Sequence, residues 1–222
     1  GMFDDSGVQP NCVLRFDEKI YLYYLGWNPS VSVSTRNNTG LAVSEDGGKT
    51  FERPFDGPVL DRTPEEPCFA YTPDILIEDG VWHCWYGSGL KWVITGGKPE
   101  ALFTIKYATS KDGVTFDRPN HTCIHPSHEM EVACRPAIVK QNGVYRMWYS
   151  VRGASDFRGG ENSYRIGYAE STDRLTWERM DSESGIDVSE DGWDCEMVCF
   201  CSVVEADGKL HMFYNGNGFG LT

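Results

Sequence analysis

Residues 137–150, AIVKQNGVYRMWYS, read as an apolar strand, a tight Asn-Gly turn and an aromatic-rich strand. Asn-Gly or Asp-Gly between apolar runs is the strongest short-range signal for a β-hairpin, because the favoured turn needs positive φ at its centre. The same pattern recurs in residues 12–26 (CVLRFDEKIYLYYLG), 74–87 (DILIEDGVWHCWYG) and 202–216 (SVVEADGKLHMFYNG). The closing tyrosines, Tyr24, Tyr86, Tyr149 and Tyr214, lie 62, 63 and 65 residues apart. Self-similarity at a fixed period of this size marks a repeat architecture.

A second unit lies between these hairpins: TGLAVSEDGGKTFERP from Thr39, TIKYATSKDGVTFDRP from Thr104 and RIGYAESTDRLTWERM from Arg165, with Ser44, Ser110 and Ser171 spaced by 66 and 61. It too is strand, turn, strand, and no segment carries helical periodicity. Each repeat of about 63 residues is therefore four antiparallel strands, the blade of an all-β propeller. The blades are placed at about 10–53, 72–118, 135–180 and 197–222 within one domain. The first strand of a blade, strand A, is innermost and covered on both faces, so it should be apolar at every position. Residues 197–204 meet that requirement, which makes Cys199 and Cys201, with Cys12 and Cys134 near the matching places, packing residues expected to be reduced and metal-free.

Composition narrows the functional classes. A net charge of −13 without a Lys/Arg run argues against nucleic acid and anionic membrane surfaces as partners. No apolar run is long enough to span a membrane and no charged-then-apolar leader is visible, so a cytoplasmic setting is expected. The eight cysteines lack the dense spacing of a disulfide scaffold. Phosphate-binding loops, nucleophile elbows and CxxC pairs are missing, and GGKP at Gly96 is read as lacking a strand before it, so no cofactor is expected. His121, Cys123, His125, His128 and Glu129 gather in one connection, but their spacing matches no standard zinc motif, and no metal is assigned.

Loop lengths point to one face. The A–B and C–D turns are short, whereas the B–C connections, roughly 26–38, 87–102 and 151–163, are long. Long loops in a compact domain serve binding or catalysis, so the ligand is expected on that face near the axis. The D-to-A connections reach the same face. Aligned there, Glu131 and Glu196 each stand five residues before Pro136 and Cys201, with Arg135 close by, and both glutamates are expected at the rim of an axial pocket. Two carboxylates across a scissile bond are what glycoside cleavage requires. Arg135 would hold a carboxylate or an acidic sugar, Trp27 and Trp92 could stack on sugar rings, and Asn215 and Asn217 could bind hydroxyls, a plain turn being the alternative for the two asparagines.

YATSKDGVTFDRP, RPAIVKQNGVYRMWYS and GYAESTDRLTWERM, with GWD-x-EM before a late strand and NGNG after the next, resemble the five-bladed propellers of glycoside hydrolase families 43 and 32 and their bacterial relatives. The resemblance covers nearly the whole chain. It implies a glycosidase with an axial aspartate on the first blade, a second, tuning aspartate and a glutamate acid in a D-to-A loop. Glu196 matches the last of these. At the first-blade position the chain offers Asn11, with Asp4 and Asp5 upstream, a departure from the pattern; Asp74 is a loose match to the second, and Asp194 is a further candidate. A noncatalytic propeller that binds sugar or protein through the same face is the alternative. Counting strands yields about three and a half blades against the five implied, so an incomplete ring, with open sides covered by another copy of the chain, is also expected.

Overall fold

The computed structural model describes residues 1–220; positions 221 and 222, at the end of the fourth repeat, lie outside them. Among the described residues thirteen strands form four antiparallel sheets in chain order. The first holds β1 (Gly7–Phe16), β2 (Lys19–Pro29) and β3 (Thr35–Ser44), and the second β4 (Ala70–Glu78), β5 (Val81–Thr95), β6 (Lys98–Ser110) and β7 (Phe116–Thr122). The third holds β8 (Glu131–Gln141), β9 (Val144–Gly153), β10 (Arg165–Ser171) and β11 (Glu178–Arg179), and the fourth β12 (Cys199–Ala206) and β13 (Lys209–Asn215). Each A–B turn is a two-residue link with positive φ at both positions: Asp17 and Glu18 (47° and 65°), Asp79 and Gly80 (50° and 76°), Asn142 and Gly143 (52° and 81°), Asp207 and Gly208 (52° and 70°). That geometry carries the right-handed strand twist through the hairpin.

One blade departs from the four-strand expectation. The outer strand of the first sheet shrinks to two isolated bridges, Val43 to Glu52 and Thr39 to Leu60. The intervening ERPFDGPVL carries Pro54 and Pro58, which have no N–H for a ladder, and Gly57.

Neighbouring blades are glued by apolar cores. Trp82 and Ile75 of the second blade pack with Cys12, Tyr23 and Leu41 of the first; Trp85 and Ile105 pack with Ile138 and Met147 of the third; Trp148 and Ile166 pack with Val198 and Cys201 of the fourth. A polar stitch repeats beside two of these cores. Tyr23 Oη donates to the Gly113 carbonyl at 2.7 Å, and Trp85, at the matching place in its blade, donates Nε1–H to the Arg174 carbonyl at 3.2 Å.

Within a blade, the last tyrosine of strand B is held by a carboxylate, which comes from the strand A lead-in in three of the four blades, and in three blades an outer arginine completes the clasp. In the second blade Glu66, 2% exposed, accepts from Tyr86 Oη (2.9 Å) and Ser88 Oγ (2.6 Å) and pairs with Lys106 (3.3 Å) and Arg118 (3.0 Å). In the first, Asp4 takes Tyr24 Oη and Arg53, each at 3.0 Å. In the third, two acids share the role. Tyr149 donates to Asp181, while Arg179 bridges Asp181 (2.6 Å) and Glu131 (2.7 and 3.1 Å). In the fourth, Tyr214 Oη donates to Asp194 at 2.8 Å.

The repeated serines close the C–D turns. Ser44, Ser110 and Ser171 each bond the aspartate two residues on, and Asp46, Asp112 and Asp173 each accept two backbone N–H groups. These donors hold all three carboxyls below their ordinary range, Asp46 at about 2.

Two predictions follow from these contacts. Removing Arg118 leaves Glu66 buried with one cation fewer, so Arg118→Ala should destabilise by about 3–5 kcal/mol, seen as a lower urea midpoint at unchanged slope. A loss within about 0.5 kcal/mol, that of an ordinary surface change, would contradict the clasp. The depressed turn aspartates contribute stability that is complete above the unfolded carboxyl pKa of about 4 and is lost as pH falls toward about 2. The melting temperature should therefore drop through that window, and the drop should shrink when Asp46, Asp112 and Asp173 are all changed to Asn.

Candidate functional site

Every innermost strand carries a β-bulge where it passes the axis, between Pro10 and Cys12, Tyr71 and Asp74, Cys134 and Ala137, and Cys199 and Ser202. Thr72, Arg135 and Phe200 occupy the same bulged position with φ of 47°, 49° and 53°. Left-handed φ at non-glycine residues costs on the order of 1–2 kcal/mol, and bulges re-aim side chains. All three side chains line the axial mouth, a cavity of about 300 Å³. A second space of about 240 Å³, bounded by the strands A of all four blades, continues along the axis, and Thr72 and Arg135 border both.

The mouth is walled by the B–C connections: Thr35 and Asn37 from the first, Trp92 and Glu100 from the second, Phe157 and Arg158 from the third. Two of these connections are not loops. β2–β3 and β5–β6 run on as hairpin arms, the latter turning at Gly96 and Gly97 (φ 57° and 74°). GGKP thus does follow a strand, contrary to the sequence reading, and is the tip of an arm.

The walls are aromatic and the inner charges are cationic. Phe69 packs edge-on against Tyr71, Trp92 and Phe103, with centroids 5.0, 6.1 and 5.9 Å away. Arg152, 7% exposed, lies 3.5 Å from the Phe157 centroid and 5.4 Å from that of Tyr164. Its Nε donates to Tyr164 Oη (2.9 Å) and its Nη1 to the Gly153 carbonyl (2.6 Å). Arg135 reaches across the axis to donate to the Pro10 carbonyl at 3.2 Å. Protein surrounds it although the open channel keeps it in reach of water, and this desolvation pulls its pKa down. Among the described residues neither Arg135 nor Arg152 has a carboxylate within ion-pair distance, whereas Arg158 at the rim pairs with Glu100 at 3.0 Å.

The residues picked out from sequence separate into groups. Arg135 and Trp92 line the mouth, and Glu196 is exposed in an adjoining hollow with Asp156, Phe157, Arg158 and the glycines 159 and 160. Asn11 and Asp74 border the lower channel. Both polar atoms of the Asn11 side chain and Thr72 Oγ1 are buried without a partner. Asp74 accepts the Ile138 N–H at 2.6 Å, tying the second blade to the third; burial outweighs that bond and pushes its carboxyl up to about 6.

Other candidates are occupied elsewhere. Glu131 does not share a mouth with Glu196: it is buried in the third-blade clasp, where Arg179 and the N–H and hydroxyl of Ser127 overcome desolvation and hold its carboxyl low. Asp194 is the fourth-blade clasp acid. Asn217 accepts the backbone N–H groups of Glu196 (2.8 Å) and Met197 (3.2 Å) and donates to the Gly192 carbonyl, so it shapes the Glu196 loop instead of presenting its amide to a ligand. Trp27 covers Gly7, and Asn215 pairs with Cys199 in the β12–β13 ladder; neither lines the mouth.

Cys199 and Cys201 are buried free thiols whose pKa values burial raises to about 12. The histidine-rich connection is dispersed, with His121 bonded to the Leu175 carbonyl and Cys123 buried in the core between blades two and three. Among the described residues no three His, Cys, Asp or Glu side chains are grouped to hold a metal ion, and no helix is long and apolar enough to cross a membrane. Sequence reasoning overlooked Arg152, Arg158 and Glu100. The only signal for them was their place in or beside the long B–C connections.

No protein-family model matches the chain. It is 39% identical over 223 aligned residues to the uncharacterized protein MT1551 of Mycobacterium tuberculosis (strain CDC 1551 / Oshkosh), covering all of this chain and 71% of that one. The uncharacterized protein Rv1502 of strain ATCC 25618 / H37Rv matches to the same extent. Among solved structures, a glycoside hydrolase superposes with a TM-score of 0.76 at 18% identity over 97% of this chain and 67% of its own. A BT0996 complex with RGII superposes at 0.75 and 18% over the same shares. The Bombyx mori GH32 beta-fructofuranosidase BmSUC1 follows at 0.63 and 16%, over 95% of this chain and 43% of its own. The chain belongs to the family of these two mycobacterial proteins, and its fold is that of the propeller glycosidases.

Proposed function

We propose that the protein is a carbohydrate-active propeller, a glycoside hydrolase that works at the axial mouth on a bacterial glycan. The observation that carries this reading is the mouth itself: aromatic faces for sugar C–H groups, fixed polar groups between them, and carboxylates at the rim, at the end where the blade arms converge. Its fold neighbours include glycoside hydrolases, and one was solved in complex with the carbohydrate RGII.

Glu196 is the acid–base candidate. Its loop is pinned by Asn217, its carboxylate lies beside Gly159, and it is open to solvent in the hollow next to the mouth. In this role it protonates the departing glycosidic oxygen, while a carboxylate on the opposite side of the sugar takes a proton from water or attacks the anomeric carbon. Glu100, which lines the mouth and pairs with Arg158 at 3.0 Å, is our candidate for the second carboxylate, the role that the sequence reading gave to Glu131. A second reading, sugar binding without cleavage, is favoured by the amide of Asn11 at the axial position where the resemblance implies an aspartate.

A glycan array followed by reducing-sugar release on the hits tests the reading. Glu196→Gln should lower turnover by about 10²–10⁴-fold and leave folding and glycan affinity unchanged. Unchanged turnover would remove Glu196 from the mechanism, and binding with no release by the parent protein would favour the second reading.

A further inference from the structure

We infer that the axial mouth accepts an anionic sugar unit, its acid group held between Arg135 and Arg152 and its ring against the surrounding aromatics. The inference deepens the proposed carbohydrate activity and rests on it. It starts from two cations that, among the described residues, have no carboxylate at ion-pair distance; Asp74, across the lower channel, acts on Arg135 only from further off. Buried charges are normally paired, because removing an ion from water costs on the order of several kcal/mol. Among the described residues the other strongly buried cations, Lys106 and Arg118, have a carboxylate in contact, that of Glu66. Arg152 is buried just as deeply, yet its partners are neutral: the Tyr164 hydroxyl, the Gly153 carbonyl and the rings of Phe103, Phe157 and Tyr164. Ring faces and neutral oxygens offset part of the cost without cancelling the charge.

Arg135, on the neighbouring strand of the same blade, repeats the situation. Its guanidinium rests on one carbonyl, that of Pro10, and its backbone is held at a φ of 49°, a strained conformation that places a cation in the mouth. Among the described residues the Nη2 groups of Arg135 and Arg152 have no hydrogen-bond partner, which leaves donors of both free for an acceptor in the cavity. Two guanidinium groups lining one cavity recognise a carboxylate or a phosphate far better than a hydroxyl. Next to them Tyr71, Phe103, Trp92 and Phe200 supply apolar surface that an inorganic anion cannot use. A sugar bearing an acid group satisfies both halves of the lining. The chain as a whole carries −13 and repels polyanions, and the cavity measures about 300 Å³, so a single acidic unit fits better than a run of them.

Calorimetric titration of the full chain tests this with methyl glucuronide, methyl galacturonide, the 6-phosphates of glucose and galactose, the neutral methyl glucoside and galactoside, and inorganic phosphate. At least one acidic sugar should bind about tenfold or more tightly than its neutral counterpart, the gain of one charge-assisted contact. The arm that binds more tightly, uronate or sugar phosphate, identifies the acid group, and either supports the inference. Arg152→Gln and Arg135→Gln should each shrink that advantage, bringing the affinities for acidic and neutral sugars together. If Arg152→Gln does not fold, Arg135→Gln, which engages only one carbonyl, carries the test. Equal affinity for acidic and neutral sugars would overturn the inference and leave the carbohydrate reading standing. Binding of inorganic phosphate without any acidic sugar would also overturn it, and binding of no sugar at all would overturn both.

Discussion

A carboxylate gripped by the last tyrosine of strand B, supplied by the strand A lead-in in the first, second and fourth blades and by Asp181 after β11 in the third, with an arginine of the outer segment in three blades, is the interaction on which these blades depend. A four-stranded blade is wide, and its ladder bonds tie only adjacent strands. The clasp links strand A to strand D directly across the end of the sheet. It also fixes the connection that brings the chain from one blade to the next, and so sets where each new inner strand begins. Ionic groups at this depth stabilise only when fully satisfied. Glu66 meets that condition with four partners.

Once the lead-ins are fixed, the inner strands must run down the axis side by side, and each relieves that crowding with a bulge at the same level. The bulges shape the mouth: they present Thr72, Arg135 and Phe200 to it, while the arms of β2–β3 and β5–β6 and the segment after β9 build its walls. The clasps hold the frame and the bulges aim the side chains. Glu131 and Glu196 illustrate the division of labour. They occupy matching positions in successive blades, yet one is drawn inward by Arg179 and the other, with no outer arginine beside it among the described residues, stays in the open next to the mouth.

The repeats, the turn chemistry and the face that carries the site were legible because they are local or periodic. An Asn-Gly or Asp-Gly turn announces itself, and the spacing of Tyr24, Tyr86, Tyr149 and Tyr214 is set by a structural unit. What the tyrosines touch was not legible, since Asp4, Glu66 and Asp181 lie 20, 20 and 32 residues of chain from Tyr24, Tyr86 and Tyr149. The spacing of Arg53, Arg118 and Arg179 in FERP, FDRP and WERM was the overlooked clue. Asn217 looked like a sugar ligand because NGNG ends a strand at the right face, but its amide is spent on the backbone of residues 192–197. Arg152 was invisible for a different reason: one arginine in a strand end says nothing about whether an acid lies nearby.

The central claim is that recognition takes place at the axial mouth. Amide hydrogen exchange, measured with and without the tightest-binding glycan, tests it most directly. The account predicts slowed exchange in the segments that wall the mouth, residues 34–37, 92–103 and 152–158, and around the bulges at Arg135 and Phe200, with the A–B turns unaffected. Protection confined to the A–B turns or to the outer strands, with the mouth unchanged, would contradict it.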